Sequence, residues 1–388
     1  METDKKCLKI AFITSYDPED KNSWSGTIYH IIQALQSCGD LYYIGPVNTR
    51  LRFIPRGFNY LAHLIGKNYA YVHNNFISKA YARKIEQELA EGSFDLIFAP
   101  SASAEIANLK TNLPIIYLSD TTFALINEYY NEYFSNLLDI SKKDANFVEK
   151  CAIRKADLLL YPSKWVADSA INDYGADESK VFVVPFGANL DEIPSKDIVL
   201  KREKSDKCKL LFLGVDWERK GGKLAFETLL ELEKLGIESE LTVCGCIPPE
   251  DFSHKNMGVI PFLDKTDIDQ RRELNELLLK SDFLLLPTRN EAYGIVFCES
   301  SAFGLPIITT DTGGVSGVVT NGQNGFMLPM DAEPREYAQL IHDIYQDDEK
   351  YYKLVKSSRE LFDKKLNWDI WATKVCKLMN KIIKDTKN

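Results

Sequence analysis

Short apolar runs alternate with amphipathic stretches along almost the whole chain. Most of the apolar runs are continuous rather than alternating, which is typical of strands buried on both faces of a sheet. The first series of predicted strands covers residues 8–14, 41–44, 95–99, 115–118, 158–161 and 181–184. The second series covers 210–214, 240–244, 258–261, 283–286, 307–310 and 326–328. Helical patterns separate the strands, and the clearest are 27–37, 80–91, 142–155, 222–235 and 267–280.

This repeated strand–helix alternation predicts an α/β protein with parallel sheets covered by helices on both faces. The stretch 189–209, between the two series, is polar and charged and lacks periodicity, so it reads as a linker. We therefore predict two doubly wound, Rossmann-like domains facing a cleft, over residues 1–190 and 191–367. Ligands of such sheets bind outside the carboxyl ends of the strands.

Composition places this fold in an ordinary soluble protein. The chain has 388 residues, of which 45% are hydrophobic and 27% charged, enough for two cores. No apolar run approaches the roughly 20 residues of a spanning helix, and the first residues lack a signal-peptide pattern. We expect a cytoplasmic protein. The net charge of −9 argues against nucleic acid as a partner, because nucleic-acid binding generally needs a basic face.

Cysteine and histidine add no metal site to this prediction. The eight cysteines form no C-x-x-C pair and the histidines do not cluster, so we expect buried free thiols, a reducing compartment and no metal. The first strand is not followed by G-x-G-x-x-G. That absence disfavours a dinucleotide-dependent dehydrogenase.

Residues 290–306, NEAYGIVFCESSAFGLP, carry the most informative chemistry. They join two predicted strands and contain an acid in a loop, Glu291, then Gly294, then a second acid on a helix, Glu299. A loop entering a helix attracts phosphate through free N–H groups and the helix dipole, and glycine lets the backbone approach the ligand. Carboxylates on either side of such a site suit the hydroxyls of a nucleotide sugar. The alternative is a solvated loop acid and a helix-surface acid.

Two adjacent cations follow the first strand of the second series. Arg219 and Lys220 precede two glycines at the start of a predicted helix. A departing diphosphate needs its negative charge balanced, and Arg and Lys supply that balance in a site without metal. An ordinary charged loop is the alternative.

The segment 290–306 resembles the Glu-x7-Glu motif of retaining glycosyltransferases with the GT-B fold, in particular those of family 4 (glycosyl transferases group 1). The resemblance implies that Glu291 touches the donor sugar and Glu299 holds the ribose. It further implies that the diphosphate meets the backbone of Tyr293, Gly294, Ile295 and Val296. Phe262 and Leu263 fall in a segment, 259–263, like the one whose backbone meets the nucleobase in that family. A buried strand and its exit explain this segment equally well.

Four further positions either concern the first domain or depart from the family pattern. Gly26 matches a family glycine that approaches the donor; the alternative is a helix start capped by Ser25. Asp120 follows a strand and could orient an acceptor hydroxyl; alternatively it caps the following loop. Ser119 stands where many family members have histidine, and Val215 where many have arginine. Those two family roles therefore do not transfer to this chain.

Taken as a whole, the resemblance implies a metal-independent retaining hexosyltransferase with Asp120, Lys220 and Glu291 as its catalytic residues. The usual proposal for such enzymes is front-face attack without a protein nucleophile, and none is evident here. No cofactor is expected beyond the nucleotide-diphosphate sugar, which is a co-substrate. The acceptor would be a glycan, a lipid-linked molecule or a small molecule.

The last helix, 368–388, should pack back on the first domain. A nucleotide-sugar epimerase and a non-catalytic nucleotide-sugar-binding protein are the alternatives.

Two basic stretches raise peripheral membrane contact as a minority hypothesis. One runs from Arg50 through Arg52 to Arg56 and leads into apolar residues around Leu61 and Leu64. The other comprises lysines 374, 377, 381, 384 and 387 near the end of the chain. Basic amphipathic segments bind anionic membranes, although solvated helix faces are more common.

Overall fold

The computed structural model describes residues 7–47, 49, 51, 53–69, 73–130, 136–204 and 206–387. The chain forms two compact units. Unit 1 comprises Met1–Pro185 together with Trp368–Asn388, and unit 2 comprises Phe186–Asn367. Within the described residues no helix is long and apolar enough to cross a membrane, and no group of three or more His, Cys, Asp or Glu side chains could hold a metal ion. Arg50 and Arg52 lie outside the described residues.

Unit 1 is built on a six-stranded parallel sheet in the order β2-β1-β3-β4-β5-β6. Its strands β1 to β6 are Leu8–Ile13, Gly39–Ile44, Leu96–Pro100, Ile115–Leu118, Leu158–Tyr161 and Val181–Val183. Helices α1 to α7 are Thr27–Leu35, Phe53–His63, Asn75–Ala90, Ser103–Ile106, Phe123–Tyr129, Asp139–Lys155 and Lys164–Asn172. The core lies on both faces of the sheet, because strands β3, β4 and β5 are buried along their whole length.

Unit 2 repeats the plan with a second six-stranded parallel sheet, in the order β12-β11-β10-β7-β8-β9. Strands β7 to β12 are Cys208–Leu213, Ser239–Cys244, Met257–Ile260, Phe283–Leu286, Ile307–Thr310 and Gly325–Leu328. Helices α8 to α13 are Lys196–Leu200, Gly222–Lys234, Ile268–Lys280, Ile295–Ala302, Pro334–Tyr345 and Asp348–Lys365. The final helix, α14, is Trp368–Lys387 and belongs to unit 1.

Helix α14 packs on unit 1 chiefly through two tryptophans. Trp371 is fully buried, and its ring lies 6.2 Å from that of Phe98, centroid to centroid. The Trp368 ring stacks on His30 of α1 with the centroids 6.3 Å apart. Aromatic burial of this size dominates the energetics of such a contact.

A disulfide joins Cys38, just beyond α1, to Cys376 on α14. The prediction that all eight cysteines are free thiols is wrong for these two. Because 338 residues separate them, no spacing pattern marks the pair, and only the return of α14 onto α1 brings the sulfurs together. The other cysteines are free, and Cys208, Cys244 and Cys298 are buried.

The α/β fold and its two parallel sheets are confirmed, and all twelve predicted strands are present with small differences at their ends. The helix predicted over 80–91 starts earlier, at Asn75. Its cap is Asn74, whose side chain accepts hydrogen bonds from the backbone N–H of Phe76 (2.9 Å) and Ile77 (3.2 Å). Such caps satisfy N–H groups that the helix itself leaves without partners. Helix α2 was not predicted.

Candidate active site

The strand order changes direction once in each sheet, and these switch points locate the candidate residues. In unit 2 the change falls between β7 and β10, which are parallel neighbours with Leu210 opposite Phe283. The loops that leave their carboxyl ends, 214–222 and 287–294, therefore emerge side by side. Crevices at such points are the usual ligand sites of open α/β sheets.

Lys220 and Glu291 meet between these two loops. The Lys220 ammonium donates a hydrogen bond to Glu291 Oε2, and each side chain is only 10% exposed. Gly221 explains how the loops come so close. Its φ is +75°, and a Cβ there would lie 2.0 Å from the Pro287 carbonyl oxygen. Only glycine fits that position without a shift of the backbone. The alternative of a solvated charged loop is therefore wrong for Lys220.

Arg219 stabilises the loop that carries Glu291. Its Nη1 donates to the Asn290 carbonyl oxygen at 3.0 Å, and its Nε lies 3.6 Å from Asp216 Oδ2. The Arg219 carbonyl in turn accepts from the Arg289 N–H at 2.8 Å. The side chain of Arg219 therefore positions the loop that carries Glu291, and its positive charge lies close to Lys220 and Glu291. Val215, where many family members have arginine, is exposed.

Gly294 forms the entrance to α11. Its φ is +91°, it occupies the N-cap position, and no side chain caps the helix. A Cβ there would lie 2.4 Å from the Phe297 ring and 3.3 Å from Glu291 Cγ. Gly294 has no side chain of its own and is itself buried, and the neighbouring Ile295 and Val296 are half-buried. This is the geometry that lets a helix N-terminus approach an anion.

Glu299 lies inside α11 and is almost fully buried. Its Oε1 accepts from Lys265 Nζ at 2.6 Å, and the Lys265 side chain is itself half-exposed. The alternative in which Glu291 and Glu299 are both solvated surface acids is therefore wrong. Lys265 was missed from the sequence, since nothing in its local pattern points 34 residues ahead to Glu299.

The side chain of Tyr293 has a structural task. Its hydroxyl donates to the Phe186 carbonyl at 3.2 Å, and the two rings lie 5.3 Å apart. Burial raises the pKa of the Tyr293 hydroxyl well above its usual value, and burial raises the pKa of the neighbouring Cys298 thiol to about 12. Both groups stay neutral, so only the backbone of Tyr293 is available to a ligand.

Phe262 and Leu263 follow β9, which ends at Ile260. Phe262 is 60% exposed and Leu263 is half-buried, so burial in a strand does not account for Phe262. Lys265, two positions beyond Leu263, connects this loop to Glu299. The loop and the α11 acid therefore lie in one neighbourhood, although β9 is at the edge of the sheet.

In unit 1 the switch point lies between β1 and β3, and Gly26 follows the first of them. Gly26 is the N-cap of α1 with φ +84°. The N-cap position itself therefore belongs to Gly26 rather than to Ser25. Trp24 and Ser25 also have positive φ, +49° and +55°. Strained backbone of this kind persists only where the surroundings hold it. Here the Trp24 indole donates to Asp120 Oδ2 at 3.0 Å.

Asp120 lies just beyond β4 and does not cap the helix that follows. That position belongs to Thr122, whose hydroxyl accepts from the Leu125 N–H at 3.3 Å. The Ser119 hydroxyl donates to the Thr121 carbonyl at 2.7 Å and so stabilises the turn around Asp120.

Two groups near Asp120 were missed from the sequence. The buried Glu105 accepts from the Ser15 hydroxyl at 2.8 Å. Burial raises the pKa of Tyr16, and the charges of Asp120 and Glu105 add to that rise. The polar residues Ser101, Ser103 and Glu105 directly after β3, at the switch point, are the signal that could have identified Glu105.

Solved structures share this fold over nearly the whole chain. Sucrose-phosphate synthase from Thermosynechococcus elongatus superposes with a TM-score of 0.67 at 16% identity, covering 97% of this chain and 100% of that one. Alr3699/HepE of Anabaena, solved in complex with UDP-glucose, gives 0.63 at 14% identity, covering 96% and 100%. At these identities the likeness concerns the fold, which is GT-B.

Curated relatives match over part of their length. A D-inositol 3-phosphate glycosyltransferase of Paenarthrobacter aurescens is 27% identical over 194 residues, 47% of this chain and 47% of the relative. A glycogen synthase of Mycobacterium tuberculosis is 24% identical over 240 residues, 60% of this chain and 56% of the relative. The chain thus spans about half of the length of these relatives.

Family profiles match both halves of the chain. The profile described as Glycosyltransferase Family 4 matches residues 29–192, and the one described as Glycosyl transferases group 1 matches residues 196–361. The second match contains the loops after β7 and β10 and all of α11. The chain therefore belongs to the family 4 glycosyltransferases of glycosyl transferases group 1.

Proposed function

We propose that this protein is a retaining hexosyltransferase that moves a hexosyl unit from a nucleotide-diphosphate sugar to an acceptor hydroxyl in glycoconjugate synthesis. The observation that carries the proposal is the buried pair of Lys220 and Glu291 at the switch point of unit 2, beside the uncapped, glycine-led start of α11. A cation, a carboxylate and a helix N-terminus together match the diphosphate and the hydroxyls of one ligand. HepE, which shares the fold, binds UDP-glucose.

In this proposal the donor is held at three places. The diphosphate binds to the start of α11 and to the Lys220 ammonium, and the positive charge of Arg219 lies nearby. Glu291 then accepts a hydrogen bond from a sugar hydroxyl, which partly replaces the hydrogen bond that it accepts from Lys220. Glu299 accepts from the ribose hydroxyls, which compete with Lys265. Each carboxylate is already buried and hydrogen-bonded, so little reorganisation is needed when the ligand replaces an internal partner.

The transfer then needs no protein nucleophile. The bond between the sugar C1 and the diphosphate oxygen breaks, and its electron pair leaves with the phosphate. The acceptor oxygen bonds to C1 on the same face and gives its proton to the departing phosphate oxygen. Lys220 and Arg219 offset the growing charge on the phosphate, a role that a metal ion fills in other transferases. Asp120, held by Trp24, is the proposed group that orients the acceptor hydroxyl.

The first test is a thermal-shift and nucleotide-release screen of the full chain with UDP-, GDP-, ADP- and dTDP-sugars. We expect one donor to raise the unfolding temperature and to release nucleoside diphosphate slowly, even in EDTA. The decisive variant is the double replacement Lys220→Met with Glu291→Gln. It removes both groups without leaving a buried charge unpaired, so it should fold but neither bind nor release. Glu276→Gln, at an exposed helix position, is the matched control and should behave as wild type.

The alternative activities give different results in the same screen. An epimerase would convert the donor into its epimer without releasing nucleoside diphosphate. A non-catalytic binding protein would be stabilised by the donor and leave it unchanged. If no sugar nucleotide stabilises the protein, the proposed donor site is wrong. Once an acceptor is found, the anomeric configuration of the product by NMR decides between retention and inversion.

A further inference from the structure

Helix α2 and the turn after it expose an unusual number of large apolar side chains. Among the described side chains of residues 53–65 only Ala62 is buried. Six large apolar side chains in this stretch are each more than half exposed, and they are Phe53, Phe58, Tyr60, Leu61, Leu64 and Ile65. Single exposed apolar residues need no explanation, but a contiguous group of them marks an interaction surface.

Four of these side chains lie on one side of the helix. Tyr60, Leu61 and Leu64 follow Phe53 by seven, eight and eleven positions, which is the spacing of one helical face. The opposite side is tied to the protein, because Asn59 Oδ1 accepts from the Tyr69 N–H at 2.8 Å. Helix α2 is therefore oriented with its apolar face outward.

The sequence segment that contains this helix differs in charge from the rest of the chain. Residues 41–85 contain seven Lys and Arg and no Asp or Glu, whereas the whole chain has 47 basic and 56 acidic residues. Arg56 on α2 and Lys67 just after it are both exposed. The segment thus combines an outward apolar face with a positive charge that the protein as a whole lacks.

We propose that the surface formed by Phe53, Tyr60, Leu61, Leu64 and Arg56 docks on an anionic lipid bilayer. The apolar face would enter the boundary between head groups and acyl chains, and the basic residues would meet anionic head groups. A second copy of the chain fits less well. A symmetric dimer would set this acid-free, basic segment against itself, and like charges across an interface repel.

The test is co-sedimentation of the full chain with vesicles. The vesicles are phosphatidylcholine alone or phosphatidylcholine mixed with phosphatidylglycerol, at low and high salt. We expect binding to the anionic vesicles that weakens as salt rises, because salt screens the attraction, and much weaker binding to phosphatidylcholine alone. This readout does not depend on sugar transfer, so failure of this proposal and failure of the proposed donor site are distinguishable.

Two pairs of substitutions separate the apolar and basic contributions. Leu61→Ser with Leu64→Ser should lower vesicle affinity about tenfold or more. Arg56→Gln with Lys67→Gln should lower affinity about thirtyfold on anionic vesicles only. Ile198→Ser on α8 of unit 2, at a side chain that is 56% exposed, is the matched control and should bind as wild type. All five substituted side chains are exposed, so thermal unfolding should be unchanged.

Three results would overturn the proposal. In the first, wild type stays in the supernatant with anionic vesicles at low salt. In the second, the Leu61→Ser, Leu64→Ser variant sediments as fully as wild type. In the third, wild type self-associates without lipid and loses that association in the same variant, which would show that the surface joins two copies of the chain.

Discussion

Replacing Lys220 by methionine should destabilise unit 2 strongly. The substitution leaves the Glu291 carboxylate buried without its cation, and both side chains are only 10% exposed. Breaking a buried ion pair in this way costs about 3–5 kcal/mol, whereas an exposed pair contributes about 0–1 kcal/mol. For a unit of this size each kcal/mol lowers the melting temperature by about 2–4 °C. The expected drop is therefore about 6–20 °C.

The matched partner variant and the double variant complete a thermodynamic cycle. Glu291→Gln alone should also destabilise, because Lys220 then remains charged and buried. The double variant leaves no unpaired charge, so its free energy of unfolding should return to within about 2 kcal/mol of wild type. The coupling between the two positions should therefore be about 2 kcal/mol or more. Lys280→Met is the control, since Lys280 and Glu276 are 69% and 62% exposed; its cost should be under about 1 kcal/mol.

Calorimetry and urea unfolding of the full chain, without nucleotide, measure these free energies at pH 7. The reasoning fails if each single variant costs less than about 1 kcal/mol. It also fails if the two single effects simply add in the double variant. Either result would mean that water, rather than the protein, surrounds the pair.

Three further predictions concern other parts of the molecule. Burial raises the pKa of Glu149 from 4.5 to about 7, so between these values the folded state binds the proton and the unfolded state does not. Stability should therefore fall as pH rises through this window. At pH 8 the free energy of unfolding of Glu149→Gln, measured with urea, should exceed that of wild type by up to about 3 kcal/mol. Near pH 4.5 the two should differ little, and equal stability at pH 8 would contradict the assignment. Gly221→Ala should cost about 2 kcal/mol or more, because φ is +75° and its Cβ would meet the Pro287 carbonyl; an unchanged urea midpoint would refute this. Alkylation of the unreduced, denatured chain should label six cysteines, and eight after reduction, because Cys38 and Cys376 are bonded; eight labels before reduction would show that the bond is absent.

The strands could be predicted because each leaves a local signature. A strand buried on both faces must be apolar at every position, and β10 and β11 therefore read as continuous apolar runs. Glu291, Gly294 and Glu299 could also be selected as candidates, since two acids and a glycine between two such runs form an unusual pattern. Helix α2 was not predicted because Pro55 and Gly57, residue types that usually interrupt helices, lie within it, although its apolar residues recur with helical spacing.

The sequence by itself determined the number and place of the strands, the α/β class and the residues of the loops that carry Lys220 and Glu291. Local periodicity and burial are sufficient for these features. Only the tertiary structure decided the pairing of Lys220 with Glu291 across 71 positions and of Lys265 with Glu299. The bond between Cys38 and Cys376 was equally undecided by the sequence. These contacts depend on which strands become neighbours and on the return of α14, and strand order is set by the crossovers between strands rather than by any local pattern.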